Sequence, residues 1–169
     1  MIVISTYAVS SEIPAYSAKY NFESEEISIS GVREFYKTEN GHEMKFKASN
    51  LFANLFFLSK FGIKNNEVIS DSYEIKIRPK FLDRDQYLNF DYETKEVRSE
   101  GINKWVASLK DKLVYDPLNV QIMIRTNVKH GLRNFKLILL IWKKEDRSLT
   151  NLMSLDLRNV SLMEKHYNA

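Results

Sequence analysis

Three histidines, His42, His130 and His166, and four aspartates, Asp71, Asp83, Asp85 and Asp91, are the residues from which this 169-residue chain could build a reactive site. The histidines lie far apart, and none has a second His or a carboxylate at metal-ligand spacing, so no metal site is expected. Asp83, Asp85 and Asp91 could supply paired carboxylates for general acid–base work, but Lys80 and Arg84 interleave with them, as in a solvated loop. Asp71 falls on an otherwise apolar strand face. An acid there must be paired, hydrogen-bonded or reached by water, unless the strand is read one residue out of phase. There is no G-x-S-x-G elbow, no S-x-x-K pair and no glycine-rich phosphate loop. No catalytic residue and no cofactor are therefore expected, and the chain reads as a non-enzymatic protein.

Basic and aromatic residues alternate in REFYKTENGHEMKFK, as they do on sheets that stack nucleic-acid bases. The alternation, however, puts Phe35 and Phe46 on the face opposite Lys45 and Lys47, leaving Tyr36 alone beside the lysines. No nucleic-acid partner is expected. The charge of +3 comes from 25 basic and 22 acidic residues spread through the sequence, which gives no strong field. With no cysteine there is no disulfide and no thiol chemistry. No apolar run reaches the ~18 residues that a membrane-crossing helix needs.

The elements that must position these side chains are mostly strands. Alternation on both sides of Asn40-Gly41 predicts a two-residue hairpin of type I′. Counted from Glu39 opposite His42, Phe35 faces Phe46, Glu34 faces Lys47 and Tyr36 faces Lys45. Ile27, Ile29, Phe35, Met44, Phe46 and Ala48 then share a core face. LFANLFFLSKFG, with Asn50 before it and Gly62 at its end, predicts a short helix that is apolar nearly all round. NEVISDSYEIKIRP alternates again, with Ile69, Tyr73, Ile75 and Ile77 on one face and Pro79 ending the ladder. Leu88, Phe90 and Tyr92 group in the next strand, and the polar run Glu93 to Glu96 turns into a strand around Val97. INKWVASL predicts one more. The best-marked helix begins at Asp116 as N-cap and Pro117 as first residue, and ends at Lys129, His130 and Gly131. FKLILLIW predicts a buried strand, and after Lys143 the regular pattern dissolves.

The order of IPAYSAKYNF, SDSYEIKIRPKF, NFDYETKEV and DPLNVQIMIRTNVKHG resembles the bacterial secreted family called domain of unknown function 3108. Tyr16, Ala18 and Tyr20 match its opening strand, Arg78-Pro79 its arginine–proline step, and Phe90, Asp91 and Tyr92 its later strand. Asp116, Gln121 and Arg125 match its helix. The resemblance runs from about Ile13 to Gly131. It implies a mainly β (α+β) fold, a curved antiparallel sheet or open β-barrel with one or two packed helices, similar to lipocalins and lipoprotein carriers. It also implies a full signal peptide before the first strand, and further strands with a glycine–acid motif after the helix. The opening supplies only the end of such a signal and the glycine–acid motif is not found, so the sequence resembles a member truncated or frame-shifted at both ends.

The expected organisation is a signal-peptide remnant over 1–10, a single β-rich domain over 11–142 and an atypical tail over 143–169. The expected protein is an exported one of the periplasm or cell envelope, whose concave sheet binds lipid or another apolar ligand through Phe35, Phe46, Phe52, Phe56, Tyr73 and Phe90. A structural or assembly factor that works through protein contacts in the envelope is the alternative.

Overall fold

A computed structural model describes residues 13–23, 28–50, 53–79, 84–101, 104–141 and 151–158. Eight strands form one antiparallel meander in sequence order: β1 (Tyr16–Glu23), β2 (Ser28–Thr38), β3 (Gly41–Ser49), β4 (Ala53–Lys64), β5 (Glu67–Pro79), β6 (Arg84–Asp91), β7 (Glu96–Gly101) and β8 (Trp105–Ser108). β9 (Val114–Tyr115), the helix α1 (Val120–Lys129), β10 (Phe135–Ile141) and β11 (Asn151–Leu157) follow. They form a second sheet of order β11–β10–β9 with α1 as the crossover between the parallel strands β9 and β10. β1 and β8 do not pair with each other, so the large sheet is not closed into a barrel. The fold is mainly β, with one helix among the described residues.

One face of the large sheet is buried against α1 and the small sheet. Phe35, Met44, Phe61, Val68, Tyr73, Leu88, Phe90 and Val97 from the sheet meet Leu118, Ile122, Met123, Leu137 and Leu140 in one core. Each large side chain taken wholly out of water there contributes about 1.5–3 kcal/mol. The other face is charged and wet. Tyr36 Oη donates to Glu43 Oε2 at 2.6 Å, and Lys45 and Lys60 approach the same carboxylate at 3.3 and 3.6 Å.

Four expectations are corrected. The segment LFANLFF is not a helix: its described part opens β4, which pairs along its length with β3 and β5. A strand with neighbours on both sides satisfies its backbone without helical bonds, and its apolar run hides the period that separates the two. The β2–β3 hairpin closes one residue earlier than counted. Thr38 pairs with Gly41, so Phe35 lies opposite Met44 and Tyr36 opposite Glu43. The faces survive, because the pairing moves by an even total. Gly41 follows the turn at φ +141°, and a Cβ there would lie 2.7 Å from the Phe61 carbonyl oxygen. The type I′ signature belongs instead to Asn65 and Asn66, at φ 53° and 64°, which join β4 to β5.

The third correction concerns Asp71. The β4–β5 register shifts so that Lys60 pairs with Ser72 and Phe61 with Ser70, leaving Asp71 as an extra, exposed residue. This bulge turns the phase of β5: Val68 and Ser70 are buried before it, and Tyr73 after it. Fourth, the tail carries a regular element, since β11 pairs with β10 over seven residues from Phe135–Leu157 to Ile141–Asn151.

α1 begins later than the sequence predicts, at Val120 with Asn119 as N-cap rather than at Pro117 after Asp116, while its C-terminal end falls where expected. Asp116 Oδ1 accepts the backbone N–H groups of Leu118 and Asn119 at 2.8 and 2.9 Å, closing a turn that leads into Val120. At the other end Gly131, at φ 82°, donates to the Val128 carbonyl while Leu132 donates to that of Asn127. This pair of bonds is a Schellman cap, and the left-handed glycine makes it possible.

Candidate functional site

The acids and histidines do not converge. Asp85 points to the outer face and meets Arg78 at 3.4 Å, while Asp91 folds onto the backbone N–H groups of Glu93 and Thr94 at 2.9 Å. His42 is a strand residue grouped with the Phe35 and Phe61 rings, at centroid distances of 5.6 and 5.9 Å. His130 ends α1, with Nδ1 2.7 Å from the Thr126 carbonyl oxygen. Asp83, His166, residues 1–10 and Phe52 lie outside the described residues. Among the described residues no group of three or more His, Cys, Asp or Glu could hold a metal ion, and no helix is long and apolar enough to cross a membrane.

A buried polar cluster ties the two sheets together. Ser59 of β4 donates to Asp116 Oδ2 at 2.6 Å, and Asn119 Nδ2 donates to Ser70 Oγ of β5 at 2.9 Å. Ser70 in turn donates to the Val114 carbonyl at 2.7 Å, and Asn119 Oδ1 accepts the Asp116 N–H at 2.9 Å. Burial raises the Asp116 carboxyl to about 6, against the pull of its Ser59, Asn119 and Leu118 donors. It also raises the Tyr73 phenol far above its ordinary range, and the Asp116 charge adds to that. Every oxygen of the carboxylate is occupied by a structural donor, so the cluster holds the fold together and offers no open chemistry.

The inner face divides into rows of cross-strand partners. One row runs Tyr16, Phe35, Met44, Ser59, Tyr73, Leu88, Ser99 and Trp105 from one edge of the sheet to the other. From Phe35 to Ser99 it is buried. The next row runs Ala18, Arg33, Phe46, Phe57, Ile75, Gln86 and Gly101. Phe46, Phe57 and Ile75 face the same way as the core yet remain partly exposed, as do Leu55 and Ile77 in the row beyond. Phe46 and Phe57 stack at 6.0 Å, and Phe57 meets Tyr73 at 6.4 Å. Phe46 also covers Gly31, where a Cβ would come within 2.8 Å of the ring. The result is a contiguous aromatic and aliphatic surface that the helix does not cover completely.

At one end of this surface stands Arg33. Its Nη1 donates to Tyr20 Oη at 3.1 Å and to Gln121 Oε1 of α1, and its guanidinium lies 4.5 Å over the Tyr20 ring and 5.9 Å from that of Phe46. One helical turn beyond Gln121, Arg125 lies 5.3 Å over the Tyr16 ring. Burial raises the Tyr16 phenol, and the charges of Arg125 and Arg33 oppose that rise. Tyr20, Phe46 and Gln121 thus meet around Arg33, a residue not singled out from the sequence, with the Arg125–Tyr16 pair one helical turn along. Its signal is positional: it alternates with Gly31 and Phe35 on the apolar face of β2.

The six residues expected to bind ligand are therefore split. Phe35, Tyr73 and Phe90 are 2%, 4% and 5% exposed and belong to the core. Phe46 lies on the open part of the inner face. Phe56 lies on the outer face, between Lys47 and Lys76 in register and with the Lys76 ammonium 5.6 Å over its ring. None of the five described among the six lines the cavity of about 220 Å³ bounded by Tyr92, Lys95, Leu109 and Leu113, or the open hollow of about 530 Å³ beside Phe135, Lys136 and Asp156. Comparison with known proteins finds no matching family model, no matching curated protein and no matching solved structure.

Proposed function

We propose that the open part of the inner face, from Phe46 through Phe57 to Ile75, receives the apolar body of a lipid-like ligand, and that the protein is a non-enzymatic binder. The observation that carries this reading is the contiguity of those three cross-strand partners, partly exposed on the same face as the core. Contiguous exposed apolar surface is costly in water and marks a place where something binds. The ligand lies along the open sheet rather than inside a closed barrel of the lipocalin kind. The resemblance to the secreted family supplies the compartment of this reading, the periplasm or cell envelope of a Gram-negative bacterium.

Mass spectrometry of organic extracts from the full-length protein tests it, together with binding of an apolar fluorescent probe. Lipid that co-purifies with the wild type and is lost from Phe57→Asp supports the reading. A lipid-free protein that also leaves the probe unbound overturns it. A second reading, an assembly factor of the envelope acting through protein contacts, is favoured by the edge strand β8, which among the described residues pairs only with β7 and where Val106 is 58% exposed. It requires a partner strand on that edge and no extractable lipid.

A further inference from the structure

We propose that Arg33 and Arg125 form an oxyanion subsite at the end of the apolar surface, so that the ligand is an anionic amphiphile with a carboxylate or phosphate head. The inference rests on the apolar-ligand reading above and adds the chemistry of the head. The Arg33 guanidinium of β2 lies over the Tyr20 ring of β1, and the Arg125 guanidinium of α1 lies over the Tyr16 ring of that same β1. Among the described residues neither has a carboxylate partner, unlike Arg78, Arg98 and Arg158, each of which is paired. The partners of Arg33 are neutral, a phenol and an amide, and both bonds leave from Nη1.

Its Nε is buried and makes no hydrogen bond. A buried donor without an acceptor is a cost that an incoming oxyanion removes, and the Nε side of a guanidinium is one edge of the fork that grips carboxylate or phosphate with two bonds. The Tyr20 ring and the Gln121 amide hold that fork against the sheet, so little side-chain freedom remains to be lost when an anion arrives. Arg125 is exposed while lying over the Tyr16 ring, and it completes the field. Arg33 is the direct cross-strand partner of Phe46, which continues to Phe57 and Ile75. At ~4.8 Å between strands, the distance from the cation to Ile75 is about 14 Å, the reach of an extended acyl chain of medium length.

Calorimetric titration of the full-length protein with laurate, lauryl alcohol, acetate and inorganic phosphate separates head from tail. The expected order is laurate first, lauryl alcohol about tenfold weaker, and the two small anions far weaker than either. Arg125→Gln, an exposed substitution that leaves the fold intact, is expected to weaken laurate about three- to tenfold and to leave lauryl alcohol unchanged. Arg33→Gln is expected to do the same more strongly, with the far-ultraviolet spectrum as control. Equal binding of laurate and lauryl alcohol, unaffected by Arg125→Gln, overturns the oxyanion subsite while the apolar surface stands. Acetate or phosphate binding as tightly as laurate, lost in Arg125→Gln, supports the subsite and removes the apolar reading. Binding of none of the four overturns both.

Discussion

Ser59 Oγ lies 2.6 Å from Asp116 Oδ2 in the interior of the protein, a hydrogen bond from the middle of the large sheet to the first turn before the helix, with both residues fully buried. Burial lifts the Asp116 carboxyl from its unfolded value near ~3.9 to about 6. The folded chain therefore holds this proton where the unfolded chain has already lost it. The stabilisation is complete below about pH 4 and disappears as pH rises through about 6, a change on the order of 3 kcal/mol from this group. Denaturant melts of wild type and Asp116→Asn between pH 4 and pH 7.5 check it. The stability difference between the two is expected to grow in favour of the variant as pH rises, and parallel pH profiles contradict it.

Removing the bridge itself has a different signature. Asn119→Ala deletes the donor to Ser70 and the acceptor of the Asp116 N–H, leaving both without their partners in a closed interior. The expected loss is about 2–3 kcal/mol, with cooperative unfolding retained. Urea denaturation measures it, and a loss below about half a kilocalorie per mole contradicts the closed network.

Much of this architecture is legible in the sequence because strands advertise themselves by alternation. The hairpin faces, the strands around Leu88 and Val97, β10 and the C-terminal end of α1 follow from spacing and caps alone. Three failures share one cause, that alternation reports faces but not tertiary neighbours. The apolar run at Leu55 to Phe61 has no visible period and becomes a strand only because β3 and β5 flank it. Asp71 breaks the pattern because a bulge changes the phase, and the extra residue of a bulge leaves no mark in composition. Arg33 was invisible because a cation on an apolar face is meaningful only once Tyr20 and Gln121 are seen beside it.

The turn between β4 and β5 offers a local test. Asn65 and Asn66 both adopt left-handed backbone, which asparagine tolerates and alanine resists. The double substitution Asn65→Ala with Asn66→Ala is expected to cost about 1–2 kcal/mol, and the same change at Glu39 and Asn40 to cost less. Thermal melts of the two variants check the order, and the reverse order would move the type I′ turn back to the first hairpin.

Phe46 lies over Gly31 at a distance that leaves no room for a methyl group, with the Ala48 methyl carbon also only 3.0 Å from the position of a Cβ. Gly31→Ala must push the ring tip outward, at an expected cost of about 1–2 kcal/mol. In a Phe46→Leu background the same substitution is expected to cost markedly less. Equal costs in both backgrounds, measured by a double-mutant cycle, would show that the ring does not rest on Gly31.

The location of a bound tail tests the ligand-binding surface most directly. Laurate carrying a photoreactive diazirine along its chain, irradiated with the full-length protein and mapped by peptide mass spectrometry, is expected to label Phe46, Leu55, Phe57, Ile75 and Ile77. The outer-face residues Phe56 and Tyr87 should remain unlabelled. Labelling of Phe56 and Tyr87 in preference to Phe57 and Ile75, or no saturable labelling at all, would contradict the assignment of the inner face as the binding surface.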